Sequence, residues 1–329
     1  MEGNQVALKQ EVLKKLREVS PCFLSGEALA QGEGVSRAAV WKAVTNLRKA
    51  GYRISGSPRR GYRLVEPPDL LTPQEVEPHL RTKVMGRVGY HHYKELSSTN
   101  DKAKALAAQG CAHGTLVVAE AQKAGRGRLG RSWHSPLGSG LYFSLVLRPD
   151  FAPHLAPRIT LLGGVALCHA IRELTGVEAG IKWPNDVLVK QRKVGGILTE
   201  MEAEADAIHH LILGFGVNVN MESCDLPATL KATSLMLETG KRQSRAQILA
   251  GILLQVEELW NRLLSDGFEP IADAWREASV TLGRLVGVEK EGGVIVGRAK
   301  DIDEEGALLL TDQGGHFHRI TYGEVLHVR

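Results

Sequence analysis

Three clusters in the middle of the chain combine residue types and spacings able to hold an anion beside a flat polar ligand. Gly125-Arg126-Gly127-Arg128-Leu129-Gly130-Arg131 sets three arginines on a glycine loop, where backbone N–H groups and guanidinium forks can close over a phosphate or carboxylate. The run formally contains G-x-G-x-x-G after a strand pattern. However, Trp133, Pro136, Gly138 and Gly140 lead into a further strand, not into the helix whose N-terminus would face a pyrophosphate, so a dinucleotide fingerprint is excluded. A mobile, merely charged surface loop is the alternative.

Ile181-Lys182-Trp183-Pro184-Asn185-Asp186 is the second cluster; strand alternation sets Lys182 opposite Ile181 and Trp183. Two readings stand: a snorkelling lysine, or a point charge that meets a carboxylate and a phosphate brought together for reaction. In the third, Leu211, Leu213, Phe215, Val217 and Val219 form the expected buried side of a strand, and Gly214, Gly216 and Asn218 share the other. Glycines on one face admit either a flat ligand or a tight sheet crossing. Ser98-Thr99-Asn100 precedes a helix, Asp101 to Gln109; Ser98 with Asp101 matches a capping box, and the same hydroxyls could instead bond a polar ring carbonyl.

These clusters need a sheet to hold them. The expected strands are 89–93, 115–122, 141–147, 180–183, 187–189, 195–202 and 210–218, with a short helix at 71–80 and long helices at 157–175 and 245–265. Sequential hairpins with few intervening helices imply an α+β fold with a mostly antiparallel sheet. Residues 281–329, rich in β-branched residues and Gly turns, read as a small β barrel, and Pro67-Pro68 marks a linker.

Ahead of that linker, Leu8, Val12, Leu16 and Val19 recur at helical spacing, Ser25 to Gln31 makes a second helix, and Ser36 caps a third with Val40, Val44 and Leu47 inward. This is a helix-turn-helix, with Arg37, Ala38, Lys42, Thr45 and Asn46 on the face that would enter a major groove. A hairpin of 52–55 and 62–65 adds a wing, its Arg59 and Arg60 placed to reach phosphates. Residues 34–65 hold eight basic and no acidic residues in a chain of net charge +4, which leaves net −4 elsewhere. A nucleic-acid partner for that segment alone follows, against the alternative of a charged helical domain used for protein contacts.

At 329 residues the chain is long enough for two or three domains, and 43% apolar with 24% charged residues is ordinary for a globular protein. No run of 18 uninterrupted apolar residues or signal-peptide pattern argues for a membrane; Cys22, Cys111, Cys168 and Cys224 are too dispersed for a metal motif or a disulfide scaffold. A cytoplasmic protein without a protein-held metal is the expectation.

Ser98-Thr99-Asn100, the 125–131 loop with Trp133, Lys182-Trp183-Pro184-Asn185-Asp186, Lys193 to Leu198 and Gly214 to Asn218 together resemble, in order and spacing, the biotin protein ligases. With the N-terminal and C-terminal segments the resemblance covers essentially the whole chain and is to the bifunctional type, which also represses biotin genes. It implies a winged helix-turn-helix (1–66), a class II synthetase-like mixed or antiparallel sheet with helices (67–278) and an SH3-like β barrel (279–329). It implies that biotin and ATP form biotinyl-5′-AMP and that the biotinyl group passes to a lysine of the biotin carboxyl carrier protein of acetyl-CoA carboxylase.

By that resemblance Arg126, Arg128 and Lys182 shield the reacting anions, and Ser98, Thr99, Asn100, Gln122 and Gly127 join them around biotin. Gly125, Arg131, Trp133, Asn185 and Asn218 take the adenylate, Mg²⁺ bridges phosphate oxygens, and a homodimer binds a palindromic operator. The family carries an acidic residue where Ser97 stands here, and residues 222–245 match nothing assignable. A lipoate ligase on the same fold and a non-catalytic biotin sensor are the competing readings; the Gly-Arg loop argues against the first, and Arg128 with Lys182 against the second.

Overall fold

Apolar spacing accounts for the first three helices. α1 (Glu2–Glu18), α2 (Gly26–Gly32) and α3 (Arg37–Lys49) bury Val12, Leu16, Leu29, Val40, Val44 and Leu47 in one small core. Ser25 and Ser36 start α2 and α3, their hydroxyls accepting from the N–H of Ala28 at 3.0 Å and of Ala39 at 3.2 Å. β1 (Arg53–Ser57) and β2 (Gly61–Glu66) then pair antiparallel and add Ile54 and Leu64 to that core. Gly61 is at φ +94°, and a Cβ there would lie 2.1 Å from the Leu24 carbonyl oxygen, so only glycine allows the bridge between Leu24 and Tyr62. The result is the expected winged helix-turn-helix. The structure, a computed structural model, describes residues 2–226, 231–290 and 293–327. The chain divides into two compact units, 1–70 and 71–329, so the C-terminal sheet shares a unit with the central one.

In the second unit the expected helix at 71–80 is broken. α4 (Pro73–Val76) gives way to a 3₁₀ turn, Glu77–His79, because Pro78 has no N–H to donate back along an α-helix. There follow β3 (Tyr90–Tyr93), α5 (Thr99–Ala108), β4 (Leu116–Ala119), β5 (Gly140–Leu147), α6 (Pro157–Thr175), β6 (Ala179–Lys182), β7 (Asp186–Val189), β8 (Arg192–Ala203) and β9 (Ile208–Asn218). α7 (Leu235–Thr239), α8 (Arg245–Asp266) and α9 (Glu269–Ala278) complete this part. The strands form one sheet in the order β3-β4-β5-β9-β8-β7-β6, parallel only between β3 and β4.

Both faces of this sheet are covered. α6, α8 and α9 join the main core, and α5 closes a second cluster with Val117, Val146 and Ile212. Ile212 is therefore buried as fully as Leu211 and Leu213, where strand alternation alone had given β9 one buried side. α6 is long and apolar enough to cross a membrane by length and composition, but it is mostly buried in the sheet's core. Gly163 lets it sit close, since a Cβ there would be 3.1 Å from Leu213 Cδ1.

Two buried carboxylates pin the scaffold. Glu257 of α8 accepts from the N–H groups of Lys83, Val84 and Met85 at 2.6, 2.7 and 2.9 Å. Glu120, just beyond β4, meets the fully buried Arg245 at 2.8 Å and accepts from Leu71 N at 2.8 Å. Removing one member of such a pair strands the other charge at a cost of about 3–5 kcal/mol.

The C-terminal residues form β10 (Leu285–Lys290), β11 (Gly293–Ile302), β12 (Leu308–Thr311), β13 (Phe317–Ile320) and β14 (Glu324–His327). Their antiparallel order, β13-β12-β11-β10-β14, brings the last strand back against the first, as a small barrel requires. Trp183 joins this sheet to the larger one: its N–H donates to Thr281 Oγ1 at 2.9 Å and its Nε1 to the Gly306 carbonyl at 3.1 Å.

Candidate functional site

The N-terminal turn of α5 shows how tertiary contacts replace a local cap. Ser98 occupies the cap position but makes no side-chain cap bond, so the expected Ser98–Asp101 capping box does not form. Gln122 Oε1 instead accepts from Thr99 N at 2.8 Å, and Asp101 turns to Arg126, which it grips at 2.5 and 3.2 Å. Ser98 and Thr99 are thereby left beside a cavity of about 680 Å³, which Asn100 and Gln122 also line.

β9 supplies the floor. A Cβ on Gly214 would fall 2.1 Å from Asn100 Oδ1, and one on Gly216 2.4 Å from the Trp133 ring. The glycine face, expected to admit a flat ligand or a tight sheet crossing, instead admits an amide and an indole of this chain, and these face the cavity in turn. Trp133 carries Lys193 Nζ 5.1 Å from its ring centroid, within cation–π range, and its own Nε1 is buried without a partner.

Cations gather at the other end. Lys182 ends β6, and burial pushes its ammonium below the usual lysine range, with Asp186 and Glu324 opposing that shift. Arg128 donates to Asn185 Oδ1 at 3.4 Å and to the Gly323 carbonyl at 3.3 Å; burial lowers its pKa as well. Arg131 donates to Glu324 at 2.7 Å, and Lys193 pairs with Asp186 at 2.6 Å. Arg126 lies apart from these, beside the first turn of α5; burial works against its charge, but its bond to Asp101 and the nearby Glu200 outweigh it and raise its pKa.

Of the residues singled out in sequence, Ser98, Thr99, Asn100, Gln122, Arg126, Gly127, Arg128, Arg131, Trp133, Lys182, Asn185 and Asn218 all line this one cavity. Gly125 is not among the lining residues; its carbonyl accepts from Trp133 N at 2.8 Å, and a Cβ there would meet the Trp133 carbonyl oxygen at 2.6 Å, so it shapes the turn. Asn185 and Asn218 are fixed by donation to the carbonyls of Ile197 at 2.9 Å and Thr233 at 3.0 Å. Sequence reasoning had not assigned Lys193, Met221, Lys231, Gly323 or Glu324 to the wall. Only Lys193, inside a motif already quoted, carried a signal; Gly323 and Glu324 arrive from a sheet some 140 residues beyond Lys182. Part of the unassigned stretch 222–245 proves to be wall, since Lys231 and Ala232 line the cavity and Lys193 N donates to the Lys231 carbonyl at 2.7 Å.

In the first unit, Arg37, Ala38 and Lys42 are exposed on α3, and Thr45 and Asn46 are half-buried. Thr45 Oγ1 donates to the Trp41 carbonyl at 2.8 Å, and the Ser36 hydroxyl serves as the helix cap. Trp41, passed over in sequence, is 59% exposed on the same helix. At the wing both arginines are exposed, but Arg60 folds back over the Phe23 ring, 4.4 Å from its centroid, which shortens the reach expected of it.

Comparison with known proteins covers the same segments. Residues 93–218 match the biotin/lipoate A/B protein ligase family, residues 9–63 an HTH domain and residues 281–328 the biotin protein ligase C terminal domain. The chain is similar to the bifunctional ligase/repressor BirA of Bacillus subtilis, 41% identical over 278 residues covering 84% of this chain and 85% of that one. It is 30% identical to the bifunctional ligase/repressor BirA of Escherichia coli, over 87% of this chain and 86% of the relative. Among solved structures, a biotin protein ligase from Aquifex aeolicus in complex with biotin and ATP superposes with a TM-score of 0.64 at 32% identity, covering 73% of this chain and 99% of that one.

Proposed function

The chain belongs to the biotin protein ligases of the bifunctional ligase/repressor type, and from that premise we propose how its cavity makes biotinyl-5′-AMP and how its first unit meets DNA. It is an ATP-dependent ligase, with biotin and ATP as substrates. One observation carries the assignment: a single cavity joins a neutral hydrogen-bonding end, Ser98, Thr99, Asn100 and Gln122, to a cationic end, Arg128, Arg131, Lys182 and Lys193. A bicyclic urea suits the first and a polyphosphate the second.

A biotin carboxylate oxygen attacks the α-phosphorus of ATP, the bond to pyrophosphate breaks, and biotinyl-5′-AMP forms. Two anions must approach for this, and Lys182 at the end of β6 and Arg128 on the glycine loop, both partly desolvated cations, offset their repulsion. Trp133, stacked on the glycine floor, offers its ring to the adenine, and Asn185 and Asn218 stand at the same end. The carrier lysine then attacks the acyl carbon and AMP leaves. Among the described residues no three His, Cys, Asp or Glu side chains cluster as a metal cage. A Mg²⁺ carried on the phosphates needs no cage, and Asp186 and Glu324 are the carboxylates in the cavity wall that could complete its shell.

The carrier is a biotin carboxyl carrier protein, and the compartment is the cytoplasm, in keeping with four unpaired cysteines. In the winged helix, Arg37, Ala38 and Lys42 meet an operator's major groove, with Ser36, Thr45 and Asn46 beside them and Arg59 with Arg60 at the backbone; a homodimer would match a palindromic site. Incubation with ATP, Mg²⁺, biotin and a carrier domain should add one biotinyl mass to the carrier, lost when the carrier lysine is replaced. Biotin binding without that gain would favour the sensor reading. Sedimentation with biotin and ATP tests the dimer, which fails if the chain stays monomeric where operator binding saturates.

A further inference from the structure

Behind the neutral end of the cavity, hydroxyls and amides form one chain whose proton order is set from its far end. Asn100 Nδ2 lies 2.7 Å from Glu200 Oε2 and 3.3 Å from the Leu198 carbonyl oxygen. Both are acceptors, so that atom is the amide nitrogen and Oδ1 faces the other way. Burial favours protonation of Glu200, but its bonds from Lys104 and Asn100 prevail and keep it a carboxylate. Ser144, fully buried on β5, stands 2.6 Å from Asn100 Oδ1 and 2.8 Å from Thr99 Oγ1.

Ser144 has one proton. Giving it to Thr99 would set two lone pairs against each other at 2.6 Å, so Ser144 donates to Asn100 and accepts from Thr99. The 3.2 Å contact between Thr99 Oγ1 and Gln122 Oε1 then carries no proton; Gln122 Oε1 is served by Thr99 N at 2.8 Å, and Gln122 Nε2 turns to Ser135 Oγ at 3.1 Å. Thr99 is left with lone pairs only for the cavity it lines.

We propose that Ser144 and Glu200, which do not line the cavity, are positioning residues that hold Thr99 as a hydrogen-bond acceptor and so select a ligand with a ring N–H at that point. The inference rests on the biotin reading, in which a cyclic urea enters this end. Urea and carbamate rings have nearly the same shape, so the discrimination is electronic, a donor accepted and an oxygen refused.

The test is titration calorimetry of the full chain with biotin and with the two cyclic carbamate analogues in which one ring N–H is replaced by oxygen. The unaltered chain should prefer biotin over one of the two by at least about 100-fold, because two acceptors then face each other in a desolvated site. Ser144→Ala and Glu200→Leu, which removes the nearer acceptor of Asn100 Nδ2, should each weaken biotin by about tenfold and narrow that preference to under about tenfold, since Thr99 can then turn its proton to the ligand. Weakened biotin binding with the full preference retained would mean a structural role only and overturn the proposal, as would unchanged binding in both variants. Equal binding of biotin and both carbamates by the unaltered chain would also overturn it. No binding of biotin by the unaltered chain would instead overturn the ligase reading. Should Ser144→Ala fail to fold, Glu200→Leu, on the partly exposed side of the chain of bonds, gives the same readout.

Discussion

The two ends of the cavity are prepared in opposite ways. At the neutral end the polar groups already satisfy one another: Gln122 holds Thr99 N, Ser144 bridges Thr99 and Asn100, and Asn100 is tied to Glu200. At the cationic end Arg131 and Lys193 are held by Glu324 and Asp186, whereas Arg126 stands beside the neutral end, on Asp101 of α5 and near the Glu200 that Asn100 bonds. Arg128 and Lys182 differ from these, with pKa values lowered by burial. Neutral hydrogen bonds can be satisfied internally at little cost, so shape can be set in advance; a desolvated cation needs a counter-charge until an anion replaces it. Recognition is therefore built into one end, and charge rearrangement is reserved for the other.

The sharpest way to break this contrast is Lys182→Ala. It should lower adenylate formation, read as pyrophosphate release, by about 100- to 1000-fold, and biotin affinity measured without ATP by no more than about tenfold, since without ATP Lys182 meets only the carboxylate. Equal loss of both would mean that the ends are not separable. Lys182→Met extends the argument to stability. Because the folded-state pKa lies below the 10.5 of a free lysine, the unfolded chain binds the proton more readily, so the shift disfavours folding at neutral pH and that penalty fades as pH rises through the folded pKa. The Met variant should keep or raise Tm at pH 7 while turnover is lost. In the unaltered chain kcat/KM should fall on the alkaline side before kcat does, since a bound polyanion restores the ammonium.

The glycine floor offers a second, smaller separation. Gly214→Ala forces the Asn100 amide aside, and Gly216→Ala the Trp133 ring. Overpacking of this kind costs about 1–3 kcal/mol, so each should weaken its own ligand by roughly tenfold or more: biotin for the first, ATP for the second. Calorimetry with each ligand alone would show crossed effects if the assignment of ends were wrong.

Much of this was legible in sequence because the signals were periodic or confined to short motifs. The apolar spacing from Pro157 to Thr175 delimited α6, and strand alternation set Lys182 apart from Ile181 and Trp183. What failed depended on partners distant in the chain. Ser98 and Asp101 have capping-box spacing, yet Gln122 and Arg126 outcompete the local bonds, and nothing within four residues of Ser98 announces them. The bare face of β9 was read correctly as a place of close approach, but its occupants, Asn100 and Trp133, come from elsewhere in the chain. α7 and α9 were missed, and Gly323 and Glu324 join the wall through strand pairing that composition does not encode. Likewise the Glu120–Arg245 pair spans most of the central domain and has no local signature.

Asp101→Asn should have the smallest effect, and its smallness is informative. Arg126 is held bidentately by Asp101, but the two side chains are 40% and 46% exposed, so solvent screens the pair and its loss should cost less than about 1 kcal/mol in thermal unfolding. Were Asp101 only a clamp on a cation awaiting its anion, freeing Arg126 would leave adenylate formation unchanged or slightly faster at saturating substrate. A marked loss of rate, beyond about tenfold with Tm intact, would mean that the pair orders the loop from Gly125 to Arg131. In that case preparation in advance would extend from the neutral end along the loop that carries Arg128 and Arg131, and the division between the two ends would have to be drawn at Lys182 and Arg128 alone.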